Sequence, residues 1–137
     1  MKVHYFLAAL LCITHSALAT EAWLTIPNSD SNIMFAIDQG SIERQGEIVR
    51  FWEKLVYIRP KVVDEASGKW VKEKKVHRLM HCAERTQGVI SGATYTENGR
   101  FISSVSFDAP QSEMSAIPPG TLAAAELELV CKMSAKP

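Results

Sequence analysis

The sequence is poor in the residues that most chemistries need. Three cysteines and four histidines leave little from which to build a metal centre or a redox relay, and the seven glycines are scattered as turn punctuation. None of them forms a loop that could cradle phosphate. Fifteen basic side chains against fifteen acidic ones give a formal net charge of zero, which removes any global pull toward nucleic acid or an anionic membrane. After the N-terminal segment, no apolar run approaches the ~20 residues needed to span a bilayer. The serines lack a glycine-framed nucleophile elbow, and local spacing suggests no Ser, His and acid arrangement. Glu126 and Glu128, two apart on an expected helix, diverge and make a poor acid/base pair. No catalytic group and no cofactor is indicated, and the chain reads as non-enzymatic.

What is present begins with an export signal. Lys2, the apolar run 3–13 and Ala17-Leu18-Ala19 form the pattern a signal peptidase reads, so residues 1–19 are expected to be cleaved and 20–137 to form one domain. Cys12 leaves with that segment, and the bulky Leu11 before it is not what lipoprotein processing wants. The expected product is an exported, unacylated chain, periplasmic or secreted, with Cys82 and Cys131 as its two remaining thiols. An even pair in an exported chain predicts a disulfide.

Short apolar runs separated by turn residues predict strands at 22–26, 33–37 and 47–58, with Arg59-Pro60 ending the third. A polar connection over 61–69 leads into a returning strand at 70–82. Segments 88–95 and 100–107 flank Asn98-Gly99 and read as a hairpin. Thr121 caps the one convincing helix, from 122 to about 133, whose inward stripe is Ala123, Leu127, Val130 and Cys131. The fold class is α+β: a single antiparallel sheet of about six strands packed with a C-terminal helix and braced by one disulfide.

Candidate sites are few. Lys72, Lys74, Lys75 and Arg78 crowd the 70–82 strand, and alternation sets Lys72, Lys74 and Arg78 on one side. That stripe suits an acidic protein face or a polyanionic glycan, and it also suits a soluble sheet edge. Trp52 and Tyr57 offer a ligand shelf, the basis for an alternative reading as a periplasmic small-ligand carrier or enzyme accessory protein. His77 and His81 are four apart, but in a strand they lie roughly 13 Å apart, too far to share a zinc. No metal site is expected there, nor at Asp30 and Asn32, where the glycine and closing Glu of a calcium loop are missing. An uncovered sheet face or edge leaves room for a homodimer.

Trp23, Ser41-Ile42, Trp52-Glu53-Lys54, Cys82 with Arg85, Tyr95 before Asn98-Gly99, and Ile117-Pro118-Pro119-Gly120-Thr121 ahead of Cys131 follow one another in an order that resembles the surface-adhesin protein E family of Gram-negative bacteria. The resemblance covers nearly all of 20–137. It implies a small antiparallel sheet with a C-terminal helix and a cell-surface role in binding host matrix and serum proteins. The chain departs from the namesake in lacking an acylatable cysteine.

Overall fold

The computed structural model describes residues 21–59 and 62–135, without the Ser112 side chain. The predicted signal segment lies outside the described residues. The strands are β1 (Trp23–Ile26), β2 (Ile33–Asp38), β3 (Glu43–Gln45), β4 (Ile48–Tyr57), β5 (Val62–Val63), β6 (Trp70–Val71), β7 (Glu73–His81), β8 (Thr86–Tyr95), β9 (Phe101–Ser106) and β10 (Ser115–Ala116). The helix α1 spans Leu122–Met133.

The main sheet is antiparallel and contains eight strands in the order β1-β2-β4-β7-β8-β10, with β3 also on β4 and β9 also on β8. The expected strand number of about six is therefore too low, although six is the number of ranks across the sheet. Two ranks are each shared by two short strands, because long β4 and β8 each outrun a single partner. The expected single strand over 70–82 is also divided. Its first two residues pair with Val62 and Val63 as a separate hairpin, and from Lys72, whose carbonyl accepts the Tyr57 N–H and whose N–H donates to the Tyr95 carbonyl, the chain joins β4 and β8.

Alternation along β4 puts Val49, Phe51 and Glu53 on one face, opposite Met80, Arg78 and Val76 of β7. Helix α1 covers this face, so Val49, Phe51, Ile37 and Met80 meet Ala124, Leu127 and Val130 in the core. Burying each large apolar side chain contributes about 1.5–3 kcal/mol. The helix forms as expected: the Thr121 hydroxyl accepts the Ala124 N–H at 3.2 Å and fixes its start. Its inward stripe includes Ala124 and, unexpectedly, Glu126, while Ala123 and Cys131 are only partly buried. Cys82, just past β7, is joined to Cys131 with Cα atoms 6.0 Å apart.

Two backbone features set the β8 side. Between His77 and Arg78 the β8 register jumps from Ser91 to Val89, so Ile90 is an extra residue that bends the strand. Further back, a Cβ on Gly88 would stand 2.8 Å from the Pro110 carbonyl oxygen, where the turn Pro110–Glu113 crosses the sheet. Gly88→Ala should therefore lower folding stability by about 1–3 kcal/mol through steric overpacking. Urea denaturation checks this; an unchanged midpoint would show that the turn moves away freely.

Candidate binding surface

The face opposite α1 displays the even-numbered residues of β4 and the odd-numbered residues of β7. Cross-strand pairing lines up Ala36 with Lys54, Lys54 with Lys75, and Lys75 with Ala93, while one step away Trp52 faces His77. Trp23 of β1 and Tyr95 of β8 rise from the same face at its two sides. Ala93 thus lies on the floor and aromatic rings form the walls. Together they enclose a half-open depression of about 390 Å³ lined by Trp23, Trp52, Lys75 and Tyr95. A second, of about 410 Å³, continues past Lys75 and Tyr95 toward Lys72 and the Asn98-Gly99 turn.

The rings are engaged by cations. Lys54 Nζ stands 4.2 Å from the centre of the Trp23 ring, and Lys75 Nζ stands 5.7 Å from Trp23 and 6.0 Å from Tyr95. These contacts offset the repulsion between two directly opposed lysines, which opposes sheet formation by roughly 0.2–1 kcal/mol. Glu21 closes one side: it accepts the Trp23 indole N–H at 2.9 Å and lies 3.6 Å from Lys75. The indole hydrogen bond and the Lys75 charge hold its carboxyl below the ordinary range. Tyr95 packs edge-on against Phe101, with centroids 6.2 Å apart.

Trp52 and His77 stack with centroids 4.8 Å apart and planes 8° from parallel. Burial, with Arg50 nearby outweighing Glu43, holds the imidazole below its ordinary 6.5, so it is neutral at physiological pH. Because the folded value is depressed, protonation favours the unfolded chain, and this group's contribution falls away as pH drops below the ordinary value. Trp52 emission should be quenched in step, with a midpoint below pH 6.5. Trp52→Phe should remove that titrating component; a midpoint at or above the ordinary value would contradict the assignment.

The residues singled out from sequence fall in different places. Arg78 points to the α1 side of the sheet, where its guanidinium pairs with buried Glu53 and donates to Gln87 and its side chain is 20% exposed, so it is drawn away from an exposed stripe with Lys72 and Lys74. Lys74 lies on the helix side, 5.7 Å from the Tyr57 ring, whereas Lys75 lies in the aromatic groove. Lys72 donates to the Ile58 carbonyl at the groove's far end. Trp52 and Tyr57 do not form one shelf. They are five apart along β4, so the pleat sends them to opposite faces, and Tyr57 is buried. Trp52 is instead grouped with Trp23 and Tyr95, which sequence reasoning missed. The shared parity of Trp52 and Lys54 was a legible signal, but Trp23 and Tyr95 join them only through the register of other ranks.

His77 and His81 are likewise engaged separately. The Nδ1 atom of His81 accepts the Glu84 backbone N–H at 3.1 Å, shaping the turn into β8. Among the described residues no group of three metal-ligating side chains converges, and no helix is long and apolar enough to cross a membrane.

A family model described as "Surface-adhesin protein E" matches residues 23–132. The sequence matches no curated protein. Among solved structures, protein E of Haemophilus influenzae superposes with a TM-score of 0.53 at 15% identity, over 82% of this chain and 93% of that one. A second crystal form gives 0.53 at 14% identity, over 81% and 96%. The protein from a non-typeable H. influenzae strain gives 0.53 at 15%, over 82% and 86%. At such identities the likeness is one of fold.

Proposed function

Because the chain belongs to the surface-adhesin protein E family, we propose that it is an exported, non-enzymatic binding protein of the bacterial envelope. It engages a host matrix or serum protein through the sheet face that α1 leaves uncovered. The observation that carries this reading is the gathering of Trp23, Trp52, Tyr95, Lys54 and Lys75 on that one face. Aromatic anchors beside a cation are the residue types on which protein interfaces concentrate their energy. The depressions are half-open, which favours a partner laid across the surface over a small molecule carried inside. Lys72 and Lys75 of the basic run border the groove and belong to the proposed contact. Residues 20–137 are read as the exported domain.

Cells producing the full chain test this. The protein should be cleaved by protease added to intact cells, and those cells should retain purified serum or matrix glycoproteins that cells lacking the gene do not. Recovery in the periplasm alone, with no retention, would overturn the surface role.

A further inference from the structure

Lys54 and Lys75 are direct cross-strand partners on the open face. Like charges so placed repel, and the ladder fixes their backbones opposite one another. Both ammoniums lean on the same Trp23 ring. Lys75 has two carboxylates nearby, Glu21 at 3.6 Å and Glu73 at 4.0 Å. Lys54 is half-buried and, among the described residues, has no carboxylate within salt-bridge distance; its ammonium rests over the Trp23 ring. An ammonium that faces a like charge and has no carboxylate in salt-bridge contact is a fitting partner for an incoming anion.

We propose that the groove is a carboxylate-recognition site, in which an acidic side chain of an extended peptide segment bridges Lys54 and Lys75 while an adjacent apolar side chain rests over Ala93 against Tyr95. This rests on the binding face proposed above and gives it a ligand chemistry. The surroundings select one isolated negative charge and reject a dense one. Glu21 and Glu73 border Lys75, and Asp38 lies between Trp23 and Trp52, so a sulphated polyanion would meet repulsion on each side of the lysine pair. A single carboxylate between two ammoniums does not. The apolar floor at Ala93 and the ring of Tyr95 suit a neighbouring hydrophobic side chain.

The test uses the purified chain and two capped peptides, acetyl-Gly-Glu-Phe-Gly-amide and its counterpart with Gln in place of Glu. Binding is followed through the indole N–H resonances of Trp23 and Trp52. The Glu peptide should shift both and bind at least tenfold more tightly than the Gln peptide. Lys54→Gln should remove that preference, and Lys74→Gln, on the opposite face, should leave it intact. Equal affinity for the two peptides, or a preference that survives Lys54→Gln, would overturn the proposal. So would a heparin tetrasaccharide that displaces the Glu peptide and binds more tightly. If a host protein still needs Trp23 for adhesion while the Glu peptide shows no preference, the binding face stands and the carboxylate assignment falls.

Discussion

The Cys82→Ser/Cys131→Ser double variant is expected to lose about 4 kcal/mol of folding stability. The bridge spans a sequence separation of 49 residues, and closing a loop of that length removes a large part of the unfolded chain's conformational freedom. It also joins the end of β7 to the last turns of α1, so the only α-helix among the described residues is held to the sheet by covalent means as well as by Leu127 and Val130. A domain of this size has a total stability of about 5–15 kcal/mol, so the loss should be visible at once as a lowered urea midpoint. Thiol titration of the denatured parent should detect no free thiol from the pair. Two free thiols, or a double variant as stable as the parent, would show that the fold does not depend on this brace.

The second large effect concerns the ionisable cluster beneath α1. The Arg78 guanidinium bonds Glu53, and Glu126 comes down from the helix beside them; Glu53 and Glu126 are 5% and 3% exposed. Arg78→Ala should cost about 3–5 kcal/mol, because it leaves a carboxylate buried without its cation. Glu126 behaves differently. Burial first, then the charge and hydrogen bond of Glu53, raise its carboxyl from 4.5 to about 9, against the opposing pull of Arg78. Between those values the folded chain keeps the proton and the unfolded chain has released it. This group therefore makes stability fall as pH rises from 4.5 to about 9, after which its effect levels off. One such group contributes a slope of up to about 1.4 kcal/mol per pH unit. Glu126→Gln should flatten that decline, matching the parent near pH 4 and exceeding it at pH 8. Parallel stability curves for the two proteins would show that Glu126 is ionised in the folded state.

How far these features were legible differs with their physical origin. The cysteine pair, the Thr121 cap and the Asn98-Gly99 turn are local or arithmetic, and the sequence states them. Alternation along β4 was equally plain and separated Trp52 from Tyr57, but parity alone does not say which face a helix will cover. That is why Arg78 grouped with Lys72 and Lys74 on paper and with Glu53 and Glu126 in the fold. Its partners lie on another strand and on the helix, and an arginine in a basic run looks the same whether its carboxylates come from solvent or from the core. The groove was harder still. Trp23, Lys54, Lys75 and Tyr95 come from four strands, and only the register of β1, β2, β4, β7 and β8 brings them together. The division of 70–82 had no clear signal either, since Lys72 continues the pattern while the pairing partner changes beside it.

The uncovered sheet face as the binding surface is best tested by comparing variants on its two sides. Surface plasmon resonance against whichever serum or matrix glycoprotein the parent binds should show affinity falling at least tenfold in Trp23→Ala and in Lys54→Glu. Lys74→Glu, on the helix side of the sheet, should bind as the parent does. Undiminished binding by folded Trp23→Ala and Lys54→Glu proteins, with loss in Lys74→Glu, would contradict the account and move the contact to the other face.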